Sequence, residues 1–278
     1  MKLEHIHIRD PFVLPDGGRY YLYGTSNDNT FKAYVSFDLD EWEGPYTVFS
    51  APKSFWGNRD FWAPEVYRLK EGRYWMVATF SNLGRERGCQ GLISSSPLGP
   101  FLPYGTKLTP PEQECLDGTL VYEGGKPYLL YCHEWLQIGV GTIRSIPLSD
   151  DLSRPIGESR LLFSSDDAEW AAYPAWARGA KIKVTDGPFA FESDGVKALL
   201  WSSYDSKGVY EIGVAYASSY AFGPYRQSKS ALPLYNVGHG MVFAGYDGQT
   251  FLCAHLDGGN EHPIIHRIGI VDNEVKLL

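Results

Sequence analysis

Five times along the chain a short apolar run of one pattern returns. Arg9-Asp10-Pro11-Phe12-Val13, Trp62-Ala63-Pro64-Glu65-Val66, Leu116-Asp117-Gly118-Thr119-Leu120, Thr185-Asp186-Gly187-Pro188-Phe189 and Gly238-His239-Gly240-Met241-Val242 carry it. Their second residues stand at 10, 63, 117, 186 and 239, giving spacings of 53, 54, 69 and 53. A second apolar strand follows each after ten to twelve residues, as in Tyr20-Tyr21-Leu22-Tyr23 and Tyr128-Leu129-Leu130-Tyr131. Turn residues separate the two, among them Asp16-Gly17-Gly18, Gly124-Gly125, Asp194-Gly195 and Asp247-Gly248, which supply the positive φ of a tight hairpin. Gly-Pro-aromatic corners (Gly44-Pro45-Tyr46, Gly99-Pro100-Phe101, Gly223-Pro224-Tyr225) mark the outer part of three units. No long stretch has apolar residues at helical spacing. Sandwiches do not require so regular a repeat, and solenoids have a shorter period. The expected fold is therefore all-β, a five-bladed β-propeller. Blades cannot bury their faces alone, so residues 1–278 are expected to form one domain.

In a propeller the inner strand of every blade runs along the central channel, so equivalent inner positions face one another. The alignment puts Asp10, Asp117 and Asp186 at one register, with Ala63 and His239 completing the ring. Carboxyls sharing a small volume cannot all ionise cheaply, and the cost drives their pKa values apart. That separation is how a site holds an acid and a base at neutral pH. Asp-Gly at hairpin tips (Asp16, Asp194, Asp247) is turn chemistry instead.

Charge and composition narrow the partners. The net charge is −8 with no Lys/Arg run, which gives no counterion-release drive toward nucleic acid and no pull toward anionic lipid. No segment approaches eighteen consecutive apolar residues, and the N-terminus lacks the apolar run of a signal peptide. Neither nucleic acid nor membrane is an expected partner, and the expected compartment is the cytoplasm. The scattered Cys89, Cys115, Cys132 and Cys253 read as reduced core thiols.

The ordered set Arg9-Asp10-Pro11, Trp62-Ala63-Pro64-Glu65-Val66, Asp117-Gly118-Thr119 and Thr185-Asp186-Gly187-Pro188 resembles glycoside hydrolase family 43, across essentially the whole chain. The resemblance implies an inverting hydrolase of carbohydrate. Asp10 matches the family's general base, and Asp117 the aspartate that tunes the acid. Asp186 falls where the family has the general-acid Glu of Glu-Gly-Pro. It is one methylene shorter, which retracts the carboxyl by roughly 1.5 Å on an unchanged backbone. Glu192 and Glu169 are the alternative acids nearby.

His239 matches a histidine that in the family often faces a metal or water cluster. It is either a ligand of a structural Ca²⁺ completed by waters, or a hydrogen-bonded channel histidine without metal. No cofactor is required by the expected chemistry. Flat walls for a sugar are sought in Trp62 and Trp135, then in Trp170 and Trp176 of the insertion behind the 69-residue spacing; Trp75 and Trp201 read as core. Arg267 is a candidate grip on a sugar hydroxyl. The expected activity is exo-acting release of a terminal pentose, α-L-arabinofuranose first. A β-D-xylosidase, a galactofuranosidase and a catalytically impaired carbohydrate-binding propeller are the alternatives.

Overall fold

The alternation of apolar runs with Gly- and Asp-containing turns produces five four-stranded antiparallel sheets, each made of consecutive strands. A computed structural model describes residues 1–26, 28–84 and 86–278. The inner strands of blades 1 to 5 are Arg9–Asp16, Arg59–Arg68, Cys115–Glu123, Asp186–Ser193 and Val237–Ala244. Neighbouring inner strands pack on one another, and blade 5 returns to blade 1 to close the ring. The fold is the expected five-bladed β-propeller. Trp62 lies within the blade 2 inner strand, not ahead of it.

Second strands are sandwiched between blades, which is why they read as unbroken apolar runs; Tyr74–Ser81 is buried along its whole length. Phe31, Phe49, Phe61 and Phe80 interlock between blades 1 and 2 with ring centroids 4.9–6.0 Å apart. Each such ring contributes on the order of 4 kcal/mol of burial before the entropy of ordering it. Trp75 and Trp201 are fully buried, as expected of core residues, and all four cysteines are buried. The Gly-Pro corners open the fourth strands of blades 2 and 4 and lie within that of blade 1, so they redirect the chain at the rim.

Every innermost strand pair is broken at an equivalent place, and that of blade 2 a second time between Arg59 and Trp62. In blade 1 Arg9 pairs with Thr25 and Phe12 with Tyr23, so three steps on one strand oppose two on the other. The same bulge recurs between Trp62 and Glu65, Leu116 and Thr119, Asp186 and Phe189, and Gly238 and Met241. The residue after the first of each pair takes a left-handed φ: Asp10 (+51°), Ala63 (+47°), Asp117 (+56°), Gly187 (+51°) and His239 (+52°). This corrects the register expected for blade 4. The counterpart of Asp10 and Asp117 is Gly187, and Asp186 stands one residue earlier, level with Arg9, Trp62, Leu116 and Gly238.

The channel thus has two tiers. The lower holds Asp10, Ala63, Asp117, Gly187 and His239. A side chain at 187 would not fit there, because its Cβ would lie 2.7 Å from the His239 ring. The upper tier holds Arg9, Trp62, Leu116, Asp186 and Gly238. At Gly238 a Cβ would come within 1.8 Å of the Tyr210 ring, which leans over that position.

Candidate active site

A pocket of about 310 Å³ opens at the starts of the inner strands. Its floor is Asp10, Asp117 and His239 from the lower tier; Arg9, Trp62, Leu116 and Asp186 line it from the upper tier. Thr25, Glu134, Trp135 and Tyr210 complete the wall. The three aspartates expected to meet do meet, although Asp186 arrives from a different tier.

Asp10 is held from several sides. Thr25 Oγ1 donates to its Oδ2 at 2.5 Å, and the His239 Nδ1 lies 3.1 Å from its Oδ1. Its own N–H donates to His255 Nδ1 at 3.1 Å, which makes that nitrogen an acceptor and the ring neutral. Burial opposes ionisation of Asp10, but the His239 charge and hydrogen bond, with Arg9 adding to them, outweigh burial and hold Asp10 well below the usual carboxylate range. Burial likewise opposes charge on His239, yet Asp10 and Asp117 raise it to about 9, so the ring is an imidazolium at neutral pH. His255, buried beside that cation, is pushed down to about 3.

Asp117 accepts from the Gly187 N–H at 2.9 Å, and its own N–H donates to Thr79 Oγ1 at 2.9 Å. Burial pushes it up to about 8 against the pull of His239, and the nearby Asp186 and Asp10 charges add to the rise. Asp186 accepts from the Tyr210 hydroxyl at 3.2 Å; burial raises it to about 6. One floor therefore carries an anion, a cation and a protonated carboxyl in contact.

Glu134 went unrecognised in the sequence. It follows the second strand of blade 3, is almost fully buried, and faces the pocket beside Trp135. Arg87 Nη1 bonds its Oε2 while Nη2 donates to Asp60 Oδ2 at 3.0 Å, and the guanidinium lies 4.8 Å over the Trp62 ring. Burial raises Glu134 to about 7 despite Arg87. The expected alternatives do not serve: Glu169 and Glu192 are exposed and outside the pocket.

Of the sugar-wall candidates, Trp62 and Trp135 line the pocket, and Trp176 packs on Trp135 with centroids 5.8 Å apart. Trp170 is core instead, 4.5 Å from Trp201, because the insertion folds inward over blade 4. Arg267 is exposed on the third strand of blade 5 and does not line the pocket; it pairs with Phe251, which pairs with Phe243 near the end of the inner strand, away from the strand starts where the pocket opens. The donor set around His239 does not fit Ca²⁺. Its Nδ1 faces Asp10, and no group of three or more His, Cys, Asp or Glu among the described residues is arranged to hold a metal ion, whereas Ca²⁺ takes six to eight oxygen ligands.

A carboxyl cluster at the axis of five blades is the arrangement the sequence resemblance implied, and the profile of glycosyl hydrolases family 43 matches residues 5–273. The chain belongs to family 43. The expected family stands with that match. A crystal structure described as endo-arabinase from Bacteroides thetaiotaomicron is similar across 98% of both chains, with a TM-score of 0.90 and 38% identity. The extracellular endo-α-(1→5)-L-arabinanase 1 of Bacillus subtilis is 27% identical over 97 residues, 32% of this chain and 30% of that protein. The extracellular endo-α-(1→5)-L-arabinanase of Thermotoga petrophila is 28% identical over 137 residues, 44% of this chain and 28% of that protein. The chain thus spans under a third of those curated relatives' own length. Both are named as extracellular enzymes, which overturns the expectation of a cytoplasmic family 43 protein.

Proposed function

We propose that this chain hydrolyses α-1,5-linked L-arabinan with inversion, cutting within the polymer. Endo action replaces the exo action expected from the sequence, because the relatives over both the whole chain and its parts are named endo-acting. The observation that carries the chemistry is the convergence of Asp10, Asp117, Asp186 and Glu134 around one small pocket, with His239 set against Asp10.

In this reading Asp10, ionised and steered by Thr25 and His239, takes a proton from the water that attacks the anomeric carbon. Asp117 stays protonated and hydrogen-bonded, keeping negative charge low near the acid. The donor comes from the wall where Asp186 and Glu134 both face the cavity, giving the leaving oxygen its proton as the C–O bond breaks. Inverting sites separate their two carboxyls by about 6.5–9.5 Å so that water and sugar fit between. Trp62 and Trp135 would supply apolar faces for sugar rings, and His239 contributes through Asp10 rather than by touching sugar.

Linear arabinan is the test. Early release of an oligosaccharide ladder supports endo cleavage, whereas arabinose alone from the first minutes rejects it. Asp10→Asn should lose about 10²–10⁴-fold or more on every substrate. A wild-type protein that binds arabino-oligosaccharides in calorimetry yet cleaves none would be a binding propeller.

A further inference from the structure

We propose that Glu134, not Asp186, is the carboxyl that protonates the leaving oxygen, with Asp186 acting beside it as a fixed polar wall. This inference rests on the hydrolase reading above and assigns its proton donor.

Position argues first. Asp186 stands on the backbone where a longer side chain would be needed, and its Oδ2 already accepts the Tyr210 hydroxyl. Glu134 has the extra methylene and enters from the blade 3 loop, at the pocket wall beside Trp135. Arg87 fixes its Oε2, while no hydrogen bond among the described residues engages Oε1. One oxygen is anchored by Arg87 and the other is left without a partner at the pocket wall.

Separation argues second. The cations set against Asp10 are His239 and Arg9, whereas Glu134 is paired with Arg87 and has Asp186 and Glu114 as its acidic neighbours. Asp186 feels Asp10 directly. Glu134 and Asp10 face one cavity from the non-adjacent blades 3 and 1, as a water and a sugar ring between acid and base require.

Charge argues third. Arg87 is shared between Glu134 and Asp60, so it compensates the buried Glu134 only in part. Asp186, ionised, further disfavours a second negative charge. In the step itself the Glu134 O–H bond breaks as its proton goes to the glycosidic oxygen. The bond from that oxygen to the anomeric carbon cleaves, water bonds to the carbon, and Asp10 accepts the water's proton.

The experiment compares Glu134→Gln with Asp186→Asn on linear arabino-oligosaccharides and on their nitrophenyl glycosides, whose leaving group needs little protonation. Glu134→Gln should lose about 10²–10⁴-fold on the natural linkage but stay within about tenfold of wild type on the aryl glycoside. Its kcat/KM profile should lose the basic limb, and its aryl activity reports a folded site. Asp186→Asn should lose both activities alike and keep that limb. The reverse pattern, selectivity in Asp186→Asn and equal losses in Glu134→Gln, overturns the assignment while leaving the hydrolase reading intact. A wild-type enzyme inert on every glycoside overturns both.

Discussion

Replacing His239 by Gln puts the electrostatics of the pocket floor to a quantitative test. The His239 imidazolium lies 3.1 Å from the Asp10 carboxylate. At an effective dielectric near 20, unit charges at that distance attract by roughly 5 kcal/mol, or about 4 pKa units at ~1.4 kcal/mol each. Gln preserves a donor of similar reach but carries no charge, and burial then dominates Asp10. Its pKa must rise, from well below the usual range to or above the ordinary carboxylate value of 3.8. A general base works only when ionised, so the acid limb of kcat/KM should move to higher pH, by up to about 4 units. Activity should collapse at pH 3 to 4, where the wild-type base is still ionised, and hold near pH 8. The assay is kcat/KM on an arabino-oligosaccharide from pH 3 to 9 for wild type and variant. An acid limb that stays within about half a unit would refute the claim that this imidazolium holds the base ionised.

Three further predictions concern the frame. Gly187→Ala combines a left-handed backbone with a Cβ 2.7 Å from the His239 ring, and should cost about 2–5 kcal/mol in urea unfolding together with most activity. Arg267→Ala should leave activity unchanged and stability within about 0.5 kcal/mol, since the residue is exposed and outside the pocket. His255 has its pKa lowered from 6.5 to about 3, so between those values the unfolded chain binds a proton that the folded chain refuses. Stability should therefore drop as pH is lowered through that window, by up to roughly 5 kcal/mol, and the difference between wild type and His255→Gln should stop varying with pH above it.

Asp10 and Asp117 were legible because both the repeat and the bulge select them. Asp186 was legible as a pocket residue but not in its tier. Matching Asp186-Gly187 to Asp117-Gly118 aligns dipeptides, whereas the bulge is a backbone feature whose marker is proline. Pro11, Pro64 and Pro188 each follow the left-handed residue, where the broken ladder asks for no N–H. Aligning those prolines places Gly187 correctly from sequence alone. Glu134 escaped because it lies outside the repeat, in a loop that nothing periodic predicts. Its signal was local: an acid between the end of an apolar strand and Trp135, itself already a candidate wall. Arg267 failed because it stands toward the wrong end of its blade: the pocket is lined from the starts of the inner strands, and Thr25 and Tyr210 reach it from second and third strands only because they lie at that end.

The same residue class becomes base on one wall and acid on the other because cations are allotted unequally. Asp10 has the His239 imidazolium against it. Glu134 has half of Arg87, whose other nitrogen serves Asp60, and Arg9 is divided between Asp257 at 2.9 Å and Glu261 at 3.5 Å. Burial penalises every carboxyl here, so the degree of compensation decides which keep their protons. Asp60→Asn follows as a test at a distance from the chemistry. Asn can still accept from Ser81, which donates to Asp60 at 2.6 Å, but it returns the whole guanidinium charge to Glu134. The Glu134 pKa should drop from about 7 by about 1–2 units, and the basic limb of kcat/KM should move down with it while activity on aryl glycosides holds. A basic limb that does not move in Asp60→Asn, or that moves upward, would show that sharing Arg87 is not what keeps the proton on Glu134.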